Sequence, residues 1–241
     1  DESRQRIQRA IWCKGEAFAW RFSVMMVAAS IIAAVGLNLS STAVVIGAML
    51  VAPLMTPIVG FAAAAVDGNP DPARRCAVFT VVASVGTVAT AYVTSAALPV
   101  VGNPVTSELL ARTSPDVRDL LVAVAAGTAG AYATAREEIS SSLHGAAVAV
   151  ALVPPLAAVG ICLELGRWEL AFGAFLLYAA NLIGILVAAA VVVALTGFAE
   201  PPFIRGGGRT AAIVATVSAV ALVAVTLPLL AAVDAAASGA R

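Results

Sequence analysis

Apolar stretches of bilayer length recur along the chain, at residues 17–37, 43–66, 75–101, 118–135, 145–165, 169–198 and 210–233, with short polar segments between them. A helix rises about 1.5 Å per residue, so about 20 apolar residues cross a hydrocarbon core of about 30 Å. The pattern predicts seven transmembrane helices. The links carry turn residues, in DGNPDP, GNPVTS and FAEPPFIRGGG, and none is long enough to hold another domain. Residues 1–16 follow a different pattern, polar and basic with Ile7, Ile11 and Trp12 on one side, which fits an amphipathic helix lying on the membrane surface. The expected organisation is that surface helix over 1–16 and a single transmembrane domain over 17–241.

Composition agrees. Hydrophobic residues make up 61% and charged residues 12% of the chain, against about 45–50% and about 25% in a soluble domain, and mean hydropathy is +0.98. Fourteen basic residues balance fourteen acidic ones, which argues against a nucleic-acid partner, since that needs a concentrated basic surface. Cys13, Cys76 and Cys162 are odd in number and in no metal-ligand spacing, so they read as free thiols. The placement of charge also sets an orientation, because Lys and Arg accumulate on the cytoplasmic side of short loops. With a cytoplasmic N-terminus, ten basic residues fall inside, from Arg4 through Arg74 and Arg75 to Arg209, and only Arg112, Arg118, Arg167 and Arg241 fall outside. Seven spans in the inner (plasma) membrane, N-terminus cytoplasmic, is the expected topology.

Two of the stretches carry prolines where a spanning helix has its middle. Pro53 and Pro57 lie in GAMLVAPLMTPIVGF, and Pro154 and Pro155 lie in the fifth stretch. An interior proline lacks the N–H for the carbonyl four residues earlier and crowds that carbonyl, at a cost of about 3 kcal/mol or more. In a bilayer this is tolerated where the freed carbonyls meet protein, ions or a water-lined cavity. The two sites are also near-copies, LVAPL at 50–54 and LVPPL at 152–156, an offset of 102 residues that brings the first three stretches close to the next three. A polar cluster precedes each copy, Asn38, Ser40 and Ser41 in one and Ser140, Ser141 and Ser142 in the other. Three is odd, so a second three-span unit runs upside down relative to the first. The expected fold is an all-α integral membrane protein of about seven transmembrane helices: two inverted three-helix repeats, 17–101 and 118–198, plus one extra helix, 210–233, with proline-broken helices at the midplane. Two kinks that only shape helix packing are the plainer alternative.

The ordered set NLSSTAVVIGAMLVAPLMTPIVG, LLVAVAAGTAGAYATA, GAAVAVALVPPLAAVGI and ANLIGI resembles the prokaryotic membrane family catalogued as domain of unknown function 389, over about residues 17–198. The resemblance implies a multi-pass membrane protein and leaves its chemistry open. Some members of that family carry a cytosolic domain before the spans.

Candidate working residues follow from the prolines. Pro53 and Pro57 remove the helical bonds to the carbonyls of Met49 and Pro53, and Pro154 and Pro155 those to Val150 and Ala151, leaving acceptors for a cation or a hydrogen-bonding solute. Thr56, between the first two prolines, offers a hydroxyl, although a threonine in a membrane helix commonly bonds its own backbone. Asn38, Ser40, Ser41 and Thr42 stand before the second stretch as either a plain N-cap or an anion-binding helix start. Asn181 lies deep in the sixth stretch, where an amide bonds across helices or lines a cavity. Acidic residues and His144 fall near the ends of the stretches, which weakens a proton-coupled mechanism. No catalytic triad, phosphate loop or metal motif occurs, so neither an enzyme nor a cofactor is expected. The expected function is a membrane transporter or channel for a small solute or ion, with its pathway between the two repeats. A non-transporting membrane scaffold or sensor is the alternative. The expected partners are the lipid bilayer, the solute or ion, and further copies in a homo-oligomer.

Overall fold

The computed structural model describes residues 13, 15–98, 105–135 and 141–196, with the backbone alone at residues 117, 135 and 141–150. The surface helix expected over 1–16 and the seventh stretch, 210–233, lie outside the described residues. Among those described there are eight helices and no strand: α1 (Glu16–Asn38), α2 (Thr42–Val51), α3 (Met55–Val66), α4 (Pro70–Ala97), α5 (Ser107–Leu110), α6 (Val117–Ala135), α7 (Ser141–Glu164) and α8 (Trp168–Leu195). By length and apolar composition α1, α4 and α8 suffice to cross a membrane, and α2 with α3 suffices when taken together as one pair bent by 51°. Helices α6 and α7 occupy the places of the fourth and fifth stretches.

Helix ends follow local chemistry. Helix α4 begins at Pro70, earlier than the apolar run from 75, because proline is pre-organised for the first helical position and Asp71 favours the first turn. Helices α3 and α7 close in the same way. Gly68 and Gly166 each adopt φ +67, and the next amide reaches back five residues, Asn69 to the Ala64 carbonyl at 2.9 Å and Arg167 to the Cys162 carbonyl at 2.8 Å. Glycine takes this left-handed position without the Cβ penalty, and the back-bond satisfies a terminal carbonyl. Helix α1 ends likewise with Ser40 at φ 51 and the Ser41 amide on the Gly36 carbonyl at 2.9 Å.

Contacts along the helices give their directions. From α1 to α4 the chain pairs Cys13 with Cys76, Phe18 and Phe22 with Phe79, and Ser30 with Thr87. Both numbers rise together, so α1 and α4 are parallel. In the second half Thr113 abuts Gly173, Leu120 and Val124 abut Gly184, and Ile185 abuts Gly127. Helices α6 and α8 are therefore parallel too. Between the halves, Val88, Ala91 and Tyr92 meet Gly160, and the Ser95 hydroxyl donates to Glu164 Oε2 at 3.1 Å, which makes α4 parallel to α7. The three-residue links before α2, α4 and α8 each form an antiparallel hairpin. The bent span α2–α3 thus runs opposite to α4, and so opposite to α7.

Helix α7 is the centre of the bundle. Residues 151–162 are all buried, covered by α1, α2, α4, α6 and α8. Val81, Val82, Val85 and Val93 on α4 and Phe172 and Phe175 on α8 stay exposed, as befits faces solvated by lipid.

Candidate functional site

The two proline sites are built differently. Ala52, just before Pro53, leaves the helix at φ −71, ψ 123, the extended region into which a following proline pushes its neighbour. The span breaks over 52–54 and restarts at Met55. Pro57 is then the third residue of α3, where an N–H has no helical partner to lose. The sequence expectation that Pro57 frees the Pro53 carbonyl is corrected on this ground, since Pro53 already lies outside any helix. Met49 is buried in the last turn of α2, Thr56 is half-buried in the first turn of α3, and Pro53 is half-buried between them.

Pro154 and Pro155 lie inside α7, which runs through them unbroken. The expectation of two broken helices is therefore corrected to one broken and one continuous. The physical reason is across the interface: Asn181 Nδ2 donates to the Ala151 carbonyl at 2.9 Å, the same carbonyl that Pro155 leaves without a donor. The amide replaces the missing backbone bond. Asn181 is 3% exposed, and its Oδ1 has no hydrogen-bond donor among the described residues.

The hydroxyl cluster before α2 neither caps that helix nor joins the prolines. Asn38 is the last residue of α1, and Ser41 holds the N-cap position without a side-chain cap bond. Ser40 Oγ pairs with Ser107 Oγ at 2.9 Å, the Thr42 hydroxyl donates to Glu108, and Thr106 Oγ1 donates to the Leu37 carbonyl at 2.7 Å. Arg112 stands 3.9 Å from Glu108. The cluster clamps α5 onto the α1–α2 corner, and the Glu108 carboxylate there disfavours an anion.

Sequence reasoning missed three pairings that only helix register brings together. Cys13 and Cys76 lie 3.6 Å apart, both buried, and hydrogen bonding to Cys76 together with burial pushes the Cys13 thiol up, so it stays protonated. Ser30 donates to Thr87 at 3.1 Å, and Ser84 pairs with the Tyr178 hydroxyl at 2.5 Å. The last pair stands at one end of a cleft of about 460 Å³ between α4, α7 and α8, lined also by Val88, Tyr92, Leu156 and Phe175. This cleft is apolar and touches the second proline copy only at Leu156.

The family model described as "Domain of unknown function (DUF389)" matches residues 49–187. An uncharacterized protein of Methanocaldococcus jannaschii is 27% identical over 175 residues, covering 72% of this chain and 53% of that protein. The chain thus spans about half the length of the curated relative it matches. No solved structure matches.

Proposed function

The chain belongs to the family described as domain of unknown function DUF389, and from that premise we propose that it is an inner-membrane transporter or channel for a small solute or ion. Its pathway runs between two inverted three-helix units, α1 to α4 and α6 to α8. The observation that carries this reading is the pair of proline helices, α2–α3 and α7, which run in opposite directions and pack on each other. Their neighbours support the symmetry. The bent span also packs on α8, as α7 packs on α4, and within each unit the first and third helices are parallel. Gly68 and Gly166 close equivalent helices with the same backbone turn.

The units differ by one turn. Gly68 follows Leu54 by 14 residues and Gly166 follows Leu156 by 10, so the first copy holds four extra residues just beyond its break. A bent helix takes a longer path across the same thickness, and about one extra turn supplies it.

Helices broken near the midplane in opposed units are how many secondary transporters expose backbone groups to cargo. In this reading the described arrangement is occluded, and the working residues are Met49, Pro53 and Thr56 on one side with Val150, Ala151, Pro154 and Asn181 on the other. The N-terminus is cytoplasmic, and copies assemble in the bilayer. Purified protein in liposomes is expected to move at least one member of a broad panel of ions and small neutral solutes faster than protein-free vesicles. Absence of flux across that panel overturns the reading. A second reading, a non-transporting scaffold or sensor, is favoured by the burial of Pro154, Pro155 and their neighbours from 151 to 162. Flux decides between them.

A further inference from the structure

Asn181 is half satisfied. Its Nδ2 is committed to the Ala151 carbonyl at 2.9 Å, and this fixes the amide's orientation, because a carbonyl without a helical donor takes the N–H end. Oδ1 is then turned elsewhere, buried, with no donor among the described residues. Pro154 likewise has no N–H to offer the Val150 carbonyl, one residue before Ala151. What collects at this level of α7 and α8 is oxygen acceptors.

The described carboxylates lie elsewhere. Every described Asp and Glu stands in a link or within three residues of a helix end. Divalent cations draw on carboxylates. Neutral amide and carbonyl oxygens suit an alkali cation that has shed part of its hydration shell, as in pores lined by backbone carbonyls.

We propose that Asn181 Oδ1 and the Val150 carbonyl freed by Pro154 contribute to a binding site for a monovalent cation of the sodium or potassium class. The proposal rests on the transport reading where it names the ion as cargo or coupling ion, and binding itself is measurable without flux.

The test uses the purified full chain in detergent, with thermal unfolding in lithium, sodium, potassium or choline chloride at equal ionic strength, and binding of radioactive sodium or rubidium by equilibrium dialysis. Asn181→Ala alone removes the donor to Ala151 as well as Oδ1. The discriminating variants are Pro155→Ala, which returns a backbone N–H to Ala151, and Pro155→Ala with Asn181→Leu, which then lacks Oδ1 without orphaning that carbonyl. Wild type and Pro155→Ala are expected to unfold at a higher temperature in one alkali cation than in choline. The double variant is expected to match them in choline, lose the cation effect and bind the ion about tenfold more weakly or worse, as befits one lost bond to a charge. A wild type that does not distinguish any alkali cation from choline overturns the proposal, since water alone then satisfies Oδ1. So does a double variant that keeps the effect. Ion binding without flux leaves the site standing and removes transport, and flux without ion binding does the reverse.

Discussion

The two proline helices carry nearly the same five residues, LVAPL and LVPPL, and the one with a single proline in the motif is the one that breaks. At the first copy the chain leaves the helix at Ala52 and bends by 51°. At the second, two adjacent prolines stay within a continuous α7. What differs is the neighbour. Asn181 of α8 donates to the carbonyl that Pro155 orphans. Counted from the matching turns at Gly166 and Gly68, its counterpart in α4 is Ala83, which has nothing to donate. Burial acts in the same direction: α7 is enclosed on all sides over 151–162, whereas Pro53 is half-buried. In this pair of helices, burial and a donor for the Ala151 carbonyl accompany the proline helix that stays continuous.

The comparison breaks most readily at contacts that hold α7 straight. A Cβ added at Gly160 would collide with the Val88 carbonyl and lie 2.9 Å from the Ala91 side chain, a backbone contact that forces α4 and α7 apart. Gly160→Ala is expected to lose about 3 kcal/mol in a detergent unfolding titration. Next is Asn181→Leu, which strands a buried carbonyl and is expected to cost about 2 kcal/mol. Adding Pro155→Ala is expected to recover most of that loss, and a simple sum of the two single effects would show that amide and carbonyl are not coupled.

The first copy answers to geometry rather than stability. With Pro53→Ala the Met49 carbonyl regains a donor, and α2 and α3, of 10 and 12 residues, can align. Spin labels at residues 42 and 66 are expected to move apart by about 3 Å at a rise of about 1.5 Å per residue. An unchanged distance assigns the bend to tertiary packing. The smallest effect is at Gly47 in α2, where an added Cβ meets nothing within 4 Å. Gly47→Ala is expected to gain up to about 1 kcal/mol from helix propensity in the same titration.

Six of the predicted apolar stretches fall on seven of the described helices, the second stretch holding both α2 and α3, because bilayer-length apolar runs leave little freedom in where a helix lies. The error at α4 came from reading Pro70 as a turn residue when it is the first residue of the helix. The break at Pro53 was legible, since proline acts on its own neighbours. The continuity of α7 was not, because it depends on a donor 30 residues away in sequence. The same holds for Cys13 with Cys76 and Ser84 with Tyr178, which meet only once helix rotation and register are set. Ser40 and Thr42 were read as a local cap or an anion-binding helix start, and their partners Ser107 and Glu108 lie more than 60 residues away.

The central claim is that the two proline helices belong to units of opposite orientation. It predicts that the matching turns at Gly68 and Gly166 lie on opposite faces of the membrane. Single cysteines introduced as Asn69→Cys and Arg167→Cys, with the three native cysteines replaced by alanine, test this through labelling of intact cells by a membrane-impermeant maleimide. The account predicts that position 167 is labelled from outside and position 69 only after the membrane is opened. Labelling of both positions from the same side would contradict it.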